Sequence, residues 1–189
     1  MATNARERLL DTAEELFYAQ GTRATGIEQI LATSGVGRAS FYRHFASKDE
    51  LVLAFLERRQ AGWEAEFVPQ VLARGGHPLA VFDQLAERFE RTDYRGCSSI
   101  NTVAELPDPA DPAHRLAVVL KERMRAFFGE LLAAHGYDDG DGSLARRMLL
   151  LYDGASVTGV RERTPQAAHD ARAMAELMLA AAPREVPAG

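Results

Sequence analysis

The sequence predicts an all-α fold, and two observations support this. Apolar residues recur at the three- and four-residue spacing of amphipathic helices along almost the whole chain, and no β-branched run alternates with polar residues between turn signals. Capping and breaking residues divide the pattern into about nine helices. With 189 residues, 47% of them hydrophobic, the chain is long enough to bury a sizeable core.

The N-terminal part predicts two helices separated by a glycine. The first begins after Asn4, which with Glu7 has the pattern of an N-terminal cap, and it ends at Gly21. The second is short and follows Thr25-Gly26-Ile27-Glu28, which has the pattern of a capping box.

The next segment has the layout of a helix-turn-helix. Ser34-Gly35-Val36-Gly37 predicts a turn, and a third short helix runs from about Arg38 to His44. Phe41 and Phe45 are four residues apart and face the core. Ser47-Lys48-Asp49-Glu50 is a further capping box, and it opens a longer helix that reaches towards Trp63.

The remaining helices are bounded by glycines and prolines. One is predicted around Leu79–Phe89, and a segment with Cys97, Asn101 and Glu105 follows. Asp111-Pro112 is a cap with proline at the first helical position, and its helix reaches about His135 before Gly136.

Two long helices close the chain, at about 143–161 and 165–182, the latter capped by Thr164. Both carry small residues, which let helix axes approach closely. We expect them either to form a helix-on-helix subunit interface or to pack within one subunit. These residues are Gly154, Ala155, Ser156 and Gly159 on one helix, and Ala167, Ala168, Ala171 and Ala175 on the other.

Charge is distributed unevenly. The net charge is −5, but residues 1–60 contain equal numbers of acidic and basic side chains, so the excess of acid lies in the remainder. Between Glu28 and Asp49 the only charged side chains are Arg38, Arg43 and Lys48. The net negative charge does not favour contact with nucleic acid, but this local basic patch does.

The sequence predicts a cytoplasmic protein with no membrane contact, because it has no apolar run long enough to span a bilayer and no signal-peptide pattern at its start. One cysteine, Cys97, excludes an internal disulfide and a cysteine-built zinc site. We expect no cofactor and no metal.

Enzyme chemistry is not predicted either. The five histidines lack metal-ligand spacing, and no Gly-rich phosphate loop is present. The acidic loop Asp138–Gly142 does not fit the calcium-loop pattern.

The segment from Thr25 to Lys48 closely resembles the TetR family of transcriptional regulators. The matching residues are Thr25, Gly35-Val36, Arg38, Ala39-Ser40, Phe41, Tyr42, His44, Phe45 and Ser47-Lys48-Asp49-Glu50-Leu51. The chain departs from the family pattern at Thr22, Leu31, Gly37 and Ala39, and the missing side chain at Gly37 removes one possible DNA contact.

The resemblance implies a three-helix DNA-binding domain over residues 1–47 and a helical effector-binding and dimerisation domain over 48–189. It implies a regulator, mostly a repressor in this family, that binds a palindromic operator in double-stranded DNA as a homodimer through its last two long helices. A small-molecule effector would release it. The predicted DNA-binding residues are Thr25, Gly37, Arg38, Ala39, Ser40, Tyr42, Arg43, His44 and Lys48.

Each DNA-binding group has an expected role. Arg38 and Arg43 contact bases or phosphates, whereas Tyr42, His44, Lys48 and the Thr25 hydroxyl contact phosphates.

The expected effector site is built from aromatic residues and one polar row. Its candidates are Trp63, Phe67, Phe82, Phe89, Tyr94, Cys97, Asn101, Glu105, Phe127 and Tyr152. Two alternatives stay open for this step: a constitutive DNA-binding regulator without a ligand, and electrophile or redox sensing through the Cys97 thiol.

Overall fold

Ten α-helices and one π-helical turn account for the secondary structure of residues 4–184, the part that the computed structural model describes. In this range the only β-type pairing is a single bridge between Tyr137 and Arg184. The helices are α1 Ala5–Gln20, α2 Ile27–Ser34, α3 Arg38–His44, α4 Lys48–Gly62, α5 Val68–Ala73, α6 Ala80–Phe89, α7 Ser98–Glu105, α8 Pro112–Ala134, α9 Ser143–Glu162 and α10 Gln166–Ala180.

The helical run that begins at α4 is longer than predicted. The π-helical turn Trp63–Phe67 joins α4 to α5 without a break, so helical structure continues past Pro69 to Ala73. Pro69 is the second residue of α5 and directly follows the π-helical turn, where the hydrogen-bond pattern of the helix changes. If α4, the π-helical turn and α5 are counted as one helix, residues 4–184 contain nine helices, as predicted. The predicted all-α fold is confirmed.

The described chain divides into two units. The first contains residues up to Gly62 together with Ser98–Leu120, and the second contains Trp63–Cys97 and the residues from Lys121 onward. This division by packing differs from the predicted functional boundary at residues 47 and 48, which stays a prediction.

The first unit encloses a core beneath the first four helices. Phe17 of α1 meets Phe55 of α4 edge to face, with 5.6 Å between ring centroids. Phe41 and Phe45 are buried in the same core. Arg58 of α4 also pairs with Glu7 and Asp11 of α1. The apolar contacts supply the main stabilisation, since exclusion of apolar area from water dominates folding.

The second unit packs α10 against α9 and α6. Of the small residues singled out in the sequence, all except Gly154 are buried within this unit. Gly159 packs so tightly that a Cβ added there would lie 2.5 Å from the Phe89 ring. The small faces of α9 and α10 therefore pack within the chain, which confirms the intramolecular alternative for these particular residues.

No helix within residues 4–184 is both long and apolar enough to cross a membrane.

Candidate nucleic-acid interface

The turn between α2 and α3 directs the third helix. Gly35 ends α2 in the left-handed conformation, with φ +65°, and its N–H donates to the Leu31 carbonyl at 3.0 Å. Val36 is buried, and Gly37 caps α3 through its backbone. A positive φ is readily available to glycine, so the turn depends on Gly35.

Burial of one side of α3 exposes the other. Phe41 is fully buried, so the other side of α3 faces outward. Residues three or four positions apart on a helix share a face, and this outward face is formed by such residues. Arg38, Ala39, Tyr42 and Arg43 are all exposed on it. The Tyr42 side chain is held by its edge contact with the Phe41 ring, at 5.2 Å between centroids.

The other predicted DNA-binding residues flank this face. Ser40 and His44 of α3 are half-buried, and Lys48 is half-buried at the start of α4. Half of the predicted capping box at Ser47 forms at this point: the Glu50 N–H donates to the Ser47 hydroxyl at 3.2 Å, whereas the Glu50 carboxylate bonds one residue before the cap. The Glu50 carboxylate in turn accepts the Ala46 N–H at 2.5 Å. This cap holds Lys48 next to α3.

Thr25 does not have the predicted orientation. Its side chain is fully buried, and its hydroxyl donates to the Gly21 carbonyl at 2.8 Å, with Leu16 O a further 3.4 Å contact. The cap of α2 is Gly26, with no side-chain hydrogen bond. The predicted capping box at Thr25 is therefore wrong, and the expected phosphate contact of its hydroxyl is corrected to an internal bond that closes the α1–α2 turn.

Sequence reasoning missed an acidic neighbour of the basic face. The Arg38 guanidinium forms an ion pair with Glu28 of α2, and the two side chains are 57% and 73% exposed. The ten-residue separation gave no signal, because the contact depends on how the turn sets α3 against α2.

Four of the predicted effector-site residues converge in the second unit. Trp63 stacks on Phe67 at 5.8 Å and meets the Phe127 edge at 5.4 Å. Phe67 in turn lies 6.3 Å from the Tyr152 ring. Burial is the main cause that raises the pKa of the Tyr152 phenol. These residues, which we call the aromatic cluster, are Trp63, Phe67, Phe127 and Tyr152.

Three further candidates border this cluster. Phe82 lies 6.1 Å from Phe128, which lies 6.4 Å from Tyr152. Phe89 and Tyr94 pair at 4.7 Å, and the Tyr94 hydroxyl donates to the Ser156 carbonyl at 3.4 Å.

Two buried polar atoms in the second unit find no hydrogen-bond partner among the described residues. They are the Trp63 indole Nε1 and the Ser156 hydroxyl. Trp63 belongs to the aromatic cluster, and Ser156 lies on α9 one helical turn after Tyr152, another member of it. An unpaired buried polar group is unfavourable, and such groups are found where a ligand or water completes the bonding.

The three polar candidates for the effector site, Cys97, Asn101 and Glu105, do not come together in one unit. Cys97 is half-buried in the second unit, whereas Asn101 is exposed and Glu105 half-buried in the first. The Glu105 carboxylate accepts from the Thr22 hydroxyl at 2.8 Å and from the Arg23 N–H at 2.9 Å. Glu105 thus bonds the α1–α2 turn, which corrects its assignment to the effector site. Among residues 4–184 no three or more histidine, cysteine, aspartate or glutamate side chains are grouped so that they could hold a metal ion.

Comparison with known proteins gives a consistent result. The model of the bacterial regulatory proteins of the tetR family matches residues 9–55. A solved TetR-family transcriptional regulator from Streptomyces coelicolor is 36% identical, with a TM-score of 0.83, over 95% of this chain and 90% of that one.

Curated relatives agree. A helix-turn-helix-type transcriptional regulator of Mycobacterium bovis is 31% identical over 73% of this chain and 81% of its own length. The transcriptional repressor NemR of Escherichia coli is 30% identical over 56% of this chain. The match spans 55% of the length of that repressor and of another curated relative, a regulator of Lactococcus lactis.

Proposed function

We propose a function from one premise: the chain belongs to the TetR family of bacterial regulatory proteins, and it is a DNA-binding transcriptional regulator rather than an enzyme. It binds a palindromic operator as a homodimer and represses transcription, and a small molecule releases it. The repressor role is supported by the similarity to the Escherichia coli transcriptional repressor.

The observation that carries the proposal is the outward face of α3. A short helix anchored by Phe41 and Phe45 presents Arg38, Tyr42 and Arg43 to solvent, with the size and charge that a DNA major groove accepts. The two arginines contact bases or phosphates, and Tyr42 donates to a phosphate.

The remaining contacts come from the edges of this face. His44 and Lys48 reach the DNA backbone, and Gly37, Ala39 and Ser40 allow α3 to approach the groove closely.

The dimer forms through the outward sides of α9 and α10. Large apolar side chains are exposed on both helices, which is unusual for a surface that stays in water. They are Leu150, Val157, Val160, Met174 and Leu177. Leu177, which is 75% exposed, offers the clearest test: Leu177→Glu shifts the protein towards monomer in light scattering, whereas Arg123→Ala on the exposed surface of α8 does not.

The effector binds at the aromatic cluster. Its aromatic walls suit an apolar, planar body, and the Trp63 N–H and the Ser156 hydroxyl supply hydrogen bonds to polar atoms of the ligand. Binding favours one of two conformations, and the favoured one holds the two recognition helices of the dimer at a spacing that does not match the operator.

Selection of bound duplexes from a random DNA library tests the proposal. A palindrome is enriched, and affinity for it falls steeply with salt. Arg43→Ala and Tyr42→Ala weaken binding, and removal of one phosphate contact lowers the salt slope by about one. The control Arg123→Ala, on an exposed arginine of α8 in the second unit, binds like wild type. Absence of an enriched sequence, together with unaffected α3 variants, would contradict the proposal.

A further inference from the structure

We propose that Glu105 is a positioning residue for DNA binding, because its carboxylate holds the α1–α2 turn from which the helix-turn-helix begins. The contact joins residues more than eighty positions apart, and one carboxylate oxygen makes both bonds. Oε2 of Glu105 accepts from the Thr22 hydroxyl at 2.8 Å and from the Arg23 N–H at 2.9 Å.

The turn is shaped to receive this carboxylate. A Cβ added to Gly21 would lie 2.5 Å from Oε1 of Glu105, which is closer than real Cβ atoms approach another atom. Gly21 also has a φ of +94°, which other residues rarely adopt. Three consecutive residues therefore accommodate one side chain: Gly21 by lacking a Cβ, Thr22 by its hydroxyl and Arg23 by its backbone N–H.

The position of Glu105 in its own helix indicates that its role lies elsewhere. It is the last residue of α7, where the negative end of the helix dipole makes a carboxylate unfavourable. α7 packs against α4 and has Ser99 and Thr102 buried. The carboxylate is thus fixed on a supported helix, and the bonded turn is fixed relative to that helix.

The bonded turn leads directly into the proposed DNA-binding surface. Thr25 closes the turn from inside through its bond to the Gly21 carbonyl, and α2 begins two residues later. The short turn at Gly35 connects α2 to α3. A rotation of the backbone at residues 21–25 therefore moves α2 and the outward face of α3 together. Loss of the Glu105 bonds leaves the DNA contacts present but held less rigidly, and small misplacements of a contact set weaken recognition strongly.

The inference rests on the proposed DNA-binding surface, and a set of variants keeps the two apart. Glu105→Ala removes the acceptor. Glu105→Gln keeps a carbonyl oxygen that can take the place of Oε2, removes the charge and replaces the other carboxylate oxygen by an NH2 group. Thr22→Val removes one donor with little change of shape. Glu57→Ala, on an exposed glutamate of α4, is the matched control, and Arg43→Ala tests the DNA surface itself.

Affinity for the selected duplex is measured well below the unfolding temperature, with the active fraction determined by stoichiometric titration. Glu105→Ala weakens binding about tenfold, Thr22→Val weakens it about threefold, and Glu105→Gln stays within about threefold of wild type. The salt slope is unchanged in all three, because Glu105 contacts no phosphate. Thr22→Val has little further effect in the Glu105→Ala background.

Amide hydrogen exchange supplies a readout that does not depend on DNA. In Glu105→Ala the Arg23 amide exchanges faster, while amides in the middle of α1 keep their protection.

Wild-type affinity in a folded Glu105→Ala protein, or equal losses in the alanine and glutamine variants, would overturn the inference. If Glu105→Ala does not fold, wild-type affinity in Thr22→Val would likewise overturn the inference. Unaffected binding in Arg43→Ala with faster Arg23 exchange in Glu105→Ala would instead refute the DNA surface and leave the Glu105 contact intact.

Discussion

The ion pair between Arg38 and Glu28 predicts that a single acidic side chain weakens DNA binding. Arg38 is the first residue of α3 and belongs to the proposed contact face, yet its guanidinium is already bonded to Glu28 of α2. DNA that takes up Arg38 must break this pair. Glu28→Gln removes the charge, keeps the side-chain size and leaves Arg38 available, so we expect tighter binding.

The exposure of the pair sets the size of the gain. The two side chains are 57% and 73% exposed, so water and ions screen their attraction. Exposed pairs of this kind contribute about 0.2–1 kcal/mol, which corresponds to about 1.4- to 5-fold in affinity. A gain far above fivefold would need a more buried pair than this one.

A double-mutant cycle measured by fluorescence anisotropy on a labelled operator duplex tests the cause. Removing any acidic group near DNA also lessens long-range repulsion, so the gain in Glu28→Gln alone is not decisive. In the Arg38→Ala background the released guanidinium is absent, and the gain should shrink towards zero. An equal gain in both backgrounds, or weaker binding by Glu28→Gln, would refute the reasoning.

Three further predictions concern stability. Thr25→Val leaves the Gly21 carbonyl without its donor and lowers the free energy of unfolding by about 1–3 kcal/mol, measured by urea denaturation. Gly159→Ala places a Cβ within 2.5 Å of the Phe89 ring and lowers the free energy of unfolding by about 1–3 kcal/mol, whereas Gly154→Ala at an exposed position of the same helix does not destabilise. Burial raises the pKa of Asp153 although Lys121 lowers it, so the folded chain binds this proton more tightly than the unfolded chain does. The corresponding stability is present below pH 3.8 and is lost as pH rises through the folded-state pKa of Asp153. Asp153→Asn has no proton to lose, so its urea midpoint relative to that of wild type should rise as pH increases across this range, and a constant difference between the two midpoints would contradict the assignment.

Local signals in the sequence predicted several of the helix boundaries. Asp111 accepts the Ala113 N–H at 2.7 Å, which confirms the cap before Pro112. Gly136 has a φ of +69° just beyond α8, as expected of a residue that ends a helix. Such caps depend on residues within a few positions of one another, so the spacing alone is informative.

Bonds between distant segments were not predictable in this way. The Thr25 pattern suggested a cap for its own helix, but the hydroxyl bonds backward into the preceding turn. The sequence places Glu105 in a ligand site because a polar group on an inward face needs a partner. The partner proved to be the Thr22 hydroxyl and the Arg23 backbone N–H, which only the packing of α7 brings into reach.

The apolar positions of the last two helices illustrate the same limit. Their small residues indicated close packing, and the packing is between α9 and α10 of the same chain. Helical periodicity locates a face but does not say which neighbour covers it. The exposed Leu150 and Leu177 became candidates for a subunit contact only once the inner faces were accounted for.

The π-helical turn has a practical consequence for solution work. Trp63 is the only tryptophan in the chain, and it is the first residue of this turn. Its indole ring contacts Phe67 of the same turn and Phe127 of α8, so its intrinsic emission reports on the surroundings of the aromatic cluster. A shift in emission wavelength would then register any rearrangement of the turn in the unlabelled protein, and titration of candidate compounds needs no DNA and no engineered probe.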